Sequence, residues 1–221
     1  MKESAATNPP DEQSVVYVVD DDADVREGLK ALLQSVSLHC ETFASTREFL
    51  RRDPVEAASC LILDVRLPGP SGLDFQAELA ERHIDIPIIF ITGHGDIRMS
   101  VRAIKNGAVE FLTKPVREQD LLDAVRVALE QDRARREHER RRGELMSRFV
   151  LLSEREREVM SFVVRGLLNK QIAGEMKLSE VTVKVHRHKL MRKLSAKSVP
   201  DLVRMAELLR GEMKEPAGRE C

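Results

Sequence analysis

The chain has little of three residue types that mark other classes of protein: its 221 residues include no tryptophan, one tyrosine and three cysteines. The cysteines, Cys40, Cys60 and Cys221, are odd in number and unpatterned, which argues against a disulfide-based secreted scaffold. No apolar run reaches the roughly 18 residues of a membrane-spanning helix, and the polar segment 1–13 lacks the apolar core of a signal peptide. We therefore expect a cytoplasmic protein in which Cys40 and Cys60 are buried free thiols.

Charge is distributed unevenly, although the whole chain carries a net charge of only −1. Residues 1–125 carry −9, residues 126–145 carry +2 and residues 146–221 carry +6. An acidic half followed by a basic half suggests that the basic half binds nucleic acid. Because basic surfaces are often only solvated, this inference needs support from the local sequence pattern.

The first half alternates short apolar runs with segments of helical periodicity. The runs that predict strands are Val15–Val19, Leu38–Phe43, Cys60–Leu63, Pro87–Ile91 and Ala108–Leu112. Continuous apolar runs are typical of strands that are buried on both faces, with helices packed above and below. The predicted fold class is therefore α/β, a doubly wound parallel sheet of the (βα)5 type.

Polar residues stand where the first, third, fourth and fifth predicted strands end. They are Asp20-Asp21-Asp22, Asp64, Thr92 and Lys114-Pro115, in that order. We expect them to converge, because open α/β sheets place their ligand sites at the shared carboxyl edge of the strands. Carboxylates with one hydroxyl and one ammonium can bind a divalent cation such as Mg2+ and accept a phosphoryl group. Asp22 is better explained as the cap of the following helix.

Through these residues the sequence resembles the receiver domain of bacterial two-component response regulators across Val15–Leu129, a fold of the flavodoxin/CheY type. The resemblance implies these roles: Asp64 as phosphoacceptor, Asp20 and Asp21 as the acidic pair, Thr92 as switch hydroxyl, Phe111 as switch aromatic, and Lys114, before a cis Pro115, as phosphate-binding lysine. It also implies a site for Mg2+ (or Mn2+) in which Asp21, Asp64 and the backbone carbonyl of Arg66 bind the metal directly and Asp20 acts through water. Phe111 departs from the tyrosine often found at its position.

The loop Thr92–Asp96 (TGHGD), together with the helical second half, makes the chain similar to the FixJ-like regulators of nitrogen fixation. That resemblance implies dimerisation through the fourth helix and fifth strand, driven by phosphorylation. Val101 and Lys105 lie at the matching positions of the fourth helix. The alternative for Val101 is packing in the core.

The last helix of the α/β half begins near Glu118, and its apolar stripe stops at Leu129. Residues 132–144 favour helix but are almost wholly charged, which predicts an exposed helical linker with a break at Gly143. A flexible charged tether is the alternative.

From Leu152 onward the periodicity is purely helical, and polar residues predict the starts of four short helices. The predicted caps are Ser153, Asn169, Ser179 and Ser198. Four helices with a tight turn between the second and third are typical of an all-α helix-turn-helix domain.

The third of these helices, Glu180–Leu194, separates an apolar face from a basic one. Its inward positions are Val183, His186, Leu190 and Leu194, and its outward positions are Lys184, Val185, His188 and Arg192. The outward ridge suits the major groove of DNA, and Arg187, Lys189 and Lys193 flank it within reach of phosphates. A solvated basic helix is the alternative.

Residues Leu152–Leu209 resemble the LuxR-type (NarL/LuxR) helix-turn-helix through three motifs. The motifs are Leu152-Ser153-x-Arg155-Glu156-x-Glu158-Val159, Gly166-Leu167-x-Asn169-Lys170-x-Ile172-Ala173 and Thr182-Val183-Lys184-x-His186. The resemblance implies that Lys184, Val185 and His188 face the bases of double-stranded DNA. His188 departs from the lysine or arginine of some members.

Together the resemblances predict a response regulator that a sensor histidine kinase phosphorylates on Asp64, and that dimerises, binds DNA and regulates transcription with RNA polymerase. The predicted segments are a disordered 1–13, a receiver domain 14–130, a helical linker 131–147, a helix-turn-helix domain 148–211 and a tail 212–221. Beyond self-catalysed phosphotransfer and autodephosphorylation that depend on Mg2+, no enzymatic activity is expected. The alternatives are a receiver that serves only as a dimerisation scaffold and a metal-dependent phosphohydrolase.

Overall fold

The structure, a computed structural model, describes residues 14–93 and 97–209. Contacts divide the chain into two compact units, with the division between Arg136 and Glu137. The predicted disordered start 1–13, the predicted tail 212–221 and residues 94–96 of the TGHGD loop lie outside the described residues.

The first unit is built on a parallel sheet of five strands. They are β1 (Val15–Val19), β2 (His39–Phe43), β3 (Ser59–Asp64), β4 (Ile88–Thr92) and β5 (Glu110–Thr113). Their spatial order is β2-β1-β3-β4-β5, and every neighbouring pair is parallel. The strand order reverses between β1 and β3, which is the point where doubly wound sheets hold their ligands. The predicted fold class is confirmed.

Helices cover both faces of this sheet because its central strands β1, β3 and β4 are buried along their whole length. The helices are α1 (Ala23–Ser35), α2 (Thr46–Leu50), α3 (Gly72–Glu81), α4 (Ile97–Lys105) and α5 (Glu118–Phe149). One face packs an aromatic core around Tyr17, Phe49 and Phe75. The other packs an aliphatic core that includes Cys40 and Cys60, which are buried and free as predicted.

Helix α5 continues through the charged stretch and through Gly143, so the predicted break there is wrong. A glycine inside a helix costs about 1 kcal/mol relative to alanine. Ion pairs one turn apart offset that cost: Arg141 contacts Glu137 at 2.6 Å, and Arg140 pairs with both Glu137 and Glu144. The hydrogen bonds from Arg140 and Arg141 lower the pKa of Glu137 to about 2. The predicted helical linker is thus confirmed over the flexible tether.

The second unit packs the end of α5 against four shorter helices. They are α6 (Glu154–Val164), α7 (Asn169–Met176), α8 (Glu180–Leu194) and α9 (Val199–Leu208). Their shared core includes Phe149, Val159, Ile172, Leu190 and Leu202. None of the helices in the described part of the chain is long and apolar enough to cross a membrane.

Three of the four predicted caps of this unit are confirmed and one is wrong. Ser153, Ser179 and Ser198 each accept a backbone hydrogen bond from the first turn of their helix. Helix α7 instead begins after Leu168, whose backbone N–H donates to the Gln171 side chain. The Asn169 side chain is engaged elsewhere, because its Oδ1 accepts a hydrogen bond from Arg187 of α8 at 2.8 Å.

Candidate carboxylate site and nucleic-acid interface

The carboxyl edge of the sheet brings together the polar residues that follow its strands. Asp20 comes directly after β1, and Asp64 ends β3 two strand widths from β5. Carboxylate oxygens of Asp20, Asp21 and Asp64 all lie within 4.8 Å of one another. Asp20 and Asp64 are buried, whereas Asp21 is exposed and leaves the cluster open to solvent.

Lys114 inserts its ammonium between two of these carboxylates. Its Nζ lies 2.7 Å from Asp20 Oδ2 and 2.6 Å from Asp64 Oδ2. The backbone N–H of Lys114 donates to the Thr92 carbonyl at 2.8 Å, which fixes the lysine to the end of β4. The following peptide bond to Pro115 is cis, as predicted. One cation is therefore shared by two acids from strands that are distant in sequence.

Backbone groups hold the other carboxylate oxygens of the pair. Asp20 Oδ1 accepts from the Asp22 N–H at 2.9 Å, and Asp64 Oδ1 accepts from the Arg66 N–H at 2.9 Å. These bonds fix the rotamers of both acids before any ligand arrives. Asp22 caps α1 by accepting from Asp24 N, so its predicted capping role is confirmed.

The cluster carries more negative charge than its one ammonium offsets. Burial raises the pKa of Asp20 above 3.8, and the hydrogen bond from Lys114 only partly opposes that effect. Lys114 is itself desolvated, which lowers its pKa, but the hydrogen bonds to Asp20 and Asp64 outweigh this and raise it. Three carboxylates facing one ammonium, all with hard oxygen donors within 4.8 Å, fit a small divalent cation.

Gly72, at the start of α3, lies directly against the backbone of Asp64. Its N–H donates to the Val65 carbonyl at 2.9 Å. A Cβ at position 72 would stand 2.3 Å from the Asp64 carbonyl oxygen, a distance that no side chain can occupy. Glycine is therefore required here for the loop after β3 to hold Asp64 in place.

Thr92 is fully buried at the end of β4, and Phe111 of β5 is partly buried against Phe90, with ring centroids 6.2 Å apart. On the neighbouring helix α4 only Ala103 is buried. Val101 is 46% exposed and Lys105 is also exposed, so core packing, the alternative for Val101, is wrong. Helix α4 instead presents an apolar strip with basic neighbours to its surroundings.

In the second unit, α8 has the two faces that its sequence predicts. Val183, Leu190 and Leu194 are fully buried, and His186 is partly buried. Six exposed side chains of this helix line one shallow surface groove: Val181, Lys184, Val185, His188, Lys189 and Arg192. A helix with a buried apolar face and an exposed basic one can enter the major groove of DNA.

Two side chains that flank these exposed residues of α8 hold the helix to its neighbours. Arg187 donates to Asn169 of α7, as described above. Lys193 Nζ lies 2.7 Å from Glu156 Oε2 and 2.9 Å from the Leu151 carbonyl. Burial alone would raise the pKa of Glu156, but the hydrogen bonds from Lys193 and Ser153 lower it. Lys193 therefore ties α8 to α6, and its expected phosphate contact stays a prediction.

Comparison with known proteins matches both units to family models. The description "response regulator receiver domain" matches residues 16–126, and "bacterial regulatory proteins, luxR family" matches residues 150–206. The chain belongs to the response regulators with a LuxR-type regulatory domain. It is a transcriptional regulator of the two-component type, in a family of regulators rather than classical enzymes.

Similar proteins match nearly the whole length of the chain. Nodulation protein W of Bradyrhizobium diazoefficiens is 54% identical, over 89% of this chain and 87% of its own length. The response regulator protein TmoT of Ectopseudomonas mendocina is 50% identical, over 92% of this chain and 93% of its own length. Among solved structures, the response regulator StyR is 48% identical with a TM-score of 0.78 and covers 88% of this chain and 98% of its own. Full-length FixJ from B. japonicum is 36% identical with a TM-score of 0.54, and the match covers 88% of this chain and 96% of FixJ.

One structural residue of this response regulator was missed by reasoning from sequence. Asp132 is fully buried at the amino edge of the sheet, where its Oδ2 accepts from the Ser59 N–H at 2.8 Å. Arg135 and Arg136 contact its two oxygens at 2.6 Å. The sequence did indicate that Asp132 is buried, because it follows Leu129 by three residues and so falls on the inward stripe of α5.

Proposed function

We propose that a sensor histidine kinase phosphorylates this regulator on Asp64 in the cytoplasm, and that the modified protein dimerises and binds double-stranded DNA. The receiver domain would comprise residues 14–130 and the DNA-binding domain residues 148–211, joined by the linker 131–147. Bound at a promoter, the dimer would act on RNA polymerase to change transcription.

The observation that carries this proposal is the ammonium of Lys114 shared between Asp20 and Asp64, 2.7 and 2.6 Å away, beside a third carboxylate. An anionic phosphoryl donor approaching Asp64 is repelled by Asp20 and Asp21 unless cations neutralise them. Mg2+ (or Mn2+), held by Asp20, Asp21, Asp64 and the Arg66 carbonyl, would supply that neutralisation.

Asp64 and Lys114 would carry out the transfer of the phosphoryl group itself. An oxygen of Asp64 attacks the phosphorus, the bond from phosphorus to the donor's imidazole nitrogen breaks, and the imidazole leaves with the bonding electrons. Lys114 stabilises the negative charge on the phosphoryl oxygens, and Asp64 is already oriented by the Arg66 N–H. Hydrolysis of the acyl phosphate in the same site would reset the protein.

The conformational response would start at Thr92. Once the phosphoryl group is attached, the Thr92 hydroxyl donates a hydrogen bond to it, and Phe111 reorients on the adjacent strand. Helix α4 then becomes part of a symmetric dimer interface with β5, in which Val101 and Lys105 take part. The exposure of Val101 supports this step, because an apolar side chain that is 46% exposed gains free energy when a second copy covers it.

The response regulator would bind DNA through α8. Lys184, Val185 and His188 would face base edges, while Arg187, Lys189 and Arg192 would contact phosphates. The net charge of +6 on residues 146–221 favours such a polyanionic partner. A dimer would present two copies of α8 to two half-sites.

The test is to incubate the full chain with acetyl phosphate and Mg2+, and then to measure its intact mass and its molar mass by light scattering. We expect one added phosphoryl group and a shift from monomer toward dimer, with neither change in Asp64→Asn. Exposed Asp85→Asn is the matched control and should behave like the parent protein. A phosphorylated chain that stays monomeric would contradict the dimerisation step, and an unmodified chain would contradict the whole proposal.

A further inference from the structure

Two valines stand exposed on the basic face of α8. Val181 is 70% exposed and Val185 is 46% exposed, whereas Val183, Leu190 and Leu194 of this helix are fully buried. Neither valine is needed to fold the helix, because Ser179 caps it by accepting from the Thr182 N–H at 3.0 Å. Exposed apolar side chains amid charged ones are candidates for contact with a ligand.

The positions of the valines place them on the face that the proposed function turns toward DNA. Val181 and Val185 are four residues apart, and His188 follows Val181 by seven, so all three share one side of the helix. Lys184, Lys189 and Arg192 border them in the same shallow groove. The charge around the valines fits a polyanion, while their own surface requires an apolar partner.

We propose that Val181 joins Val185, which the proposed function already turns toward base edges: each contacts the C5-methyl group of a thymine in the major groove, and Val181 thereby adds to sequence specificity. The inference rests on the proposed binding of DNA by α8. The thymine methyl is the one apolar group that base pairs present in the major groove, and side chains with methyl groups contact it. The remaining partners in that groove are hydrogen-bonding atoms, which a valine cannot satisfy.

Helix geometry limits where the two thymines stand. Four residues advance a helix by about 6 Å, and successive base pairs are about 3.4 Å apart. A helix lying along the groove therefore presents the two valines to methyl groups within about two base pairs of each other. We expect each half-site to contain two methyl-dependent thymines at that separation.

The experiment starts with full-length protein treated with acetyl phosphate and Mg2+ and used to select binding sites from random DNA duplexes. In the selected site each thymine is then replaced by deoxyuridine, which removes the methyl group and leaves every hydrogen-bonding atom in place. Loss of a buried methyl should weaken binding about four-fold. We expect this loss at two positions of each half-site.

The variants Val181→Ala and Val185→Ala should each abolish the methyl effect at one of the two positions and preserve it at the other. Val181→Thr, which replaces one methyl with a hydroxyl, should reduce the effect at the Val181 position. Val150→Ala is the matched control, because Val150 is 53% exposed in the same unit but lies outside α8. It should retain both methyl effects.

Two results would overturn the inference while the proposed function stands: a selected site that tolerates deoxyuridine at every position, or a methyl effect that persists in full in Val181→Ala. Failure to enrich any sequence would overturn the DNA-binding function and the inference with it. Circular dichroism and the thermal unfolding of each variant, compared with the parent protein, check that the helical content and stability are retained.

Discussion

Both edges of the receiver sheet hold buried carboxyl groups beside cations, and they differ in the ratio of cations to carboxylates. At the amino edge, Asp132 faces two guanidiniums and one backbone N–H, and it is sealed from solvent. At the carboxyl edge, Asp20, Asp21 and Asp64 share Lys114 and remain open at Asp21. A carboxylate that is fully offset by cations is typical of a structural anchor, whereas carboxylates in excess of cations form a site that can bind a further cation and accept a phosphoryl group.

Removing the ammonium from the carboxyl edge should have the largest effect. In Lys114→Gln the phosphoryl oxygens lose the cation that stabilises them as charge develops, so the rate of phosphorylation should fall by about 100-fold or more. The rate is measured by intact mass during reaction with acetyl phosphate. Lys30→Gln, on α1 of the same unit, is the control and should react at the parental rate. Comparable rates for both variants would remove the functional distinction between the edges.

Removing the ion pairs of Asp132 at the amino edge should instead lower the stability of the first unit. In Asp132→Asn two arginines lose their partner in a buried site, so the free energy of unfolding should drop by about 3 kcal/mol. Tyr17 gives a probe of this unit alone, because it is the only tyrosine of a chain without tryptophan and it is buried in the receiver core. Urea titration followed by tyrosine fluorescence measures the loss.

The folded fraction of Asp132→Asn should still accept a phosphoryl group at close to the parental rate. Arg82→Gln, which breaks an exposed pair with Glu78, is the control and should change the unfolding free energy by less than about 1 kcal/mol. If Asp132→Asn were as stable as the parent but unreactive, the amino edge would belong to the chemistry and the comparison would fail.

Gly72→Ala tests how tightly the backbone fixes the carboxyl edge. The new Cβ meets the Asp64 carbonyl oxygen, so the loop must shift, and we expect a loss of about 2 kcal/mol in stability. We also expect weaker Mg2+ binding, measured by calorimetry. Gly174→Ala on α7, where a Cβ meets nothing within 4 Å, should leave Mg2+ affinity unchanged and should not lower stability, because alanine favours helix over glycine. Unaltered Mg2+ affinity in Gly72→Ala would show that Asp64 does not depend on this contact.

The part-buried ion pair between Glu156 and Lys193 should make the stability of the second unit depend on pH. The pKa of Glu156 is lowered in the folded protein, so its stabilising contribution is present above pH 4.5 and is lost as the pH falls through the lowered pKa. Lys193→Met should therefore destabilise this unit by about 1 to 2 kcal/mol at pH 7. The difference should shrink below pH 4.5. A difference that is independent of pH would mean that Lys193 acts through packing alone.

Most of the first unit could be predicted from sequence because its strands are continuous apolar runs and its polar groups stand at the strand ends. The five strands lie within two residues of their predicted bounds. Caps were predictable where a serine precedes a helix, as at Ser179, but not at Asn169, since a tertiary partner in Arg187 took its side chain. The local preference of a residue for capping a helix is overridden where a residue distant in sequence forms a stronger hydrogen bond with it.

The sequence was least informative about the charged residues of α5 and α8. The spacing from Leu129 places Asp132 on the inward stripe of α5, but only the fold shows that Ser59 is its partner and that Glu156 is the partner of Lys193. The linker helix was predicted as an element, but not its continuity through Gly143, because the ion pairs beside it depend on side-chain conformation. Charge patterns predict surfaces well and buried partners poorly.

The most direct test of the central claim is to identify the atom that receives the phosphoryl group. Protein treated with acetyl phosphate and Mg2+ is reduced with borohydride, which converts an aspartyl phosphate to homoserine, and the peptides are sequenced by mass spectrometry. We expect homoserine at position 64, dependent on Mg2+, and at no other aspartate. Modification of Asp20 or Asp132 instead, or none at all, would contradict the assignment of the carboxyl edge as the phosphoryl site.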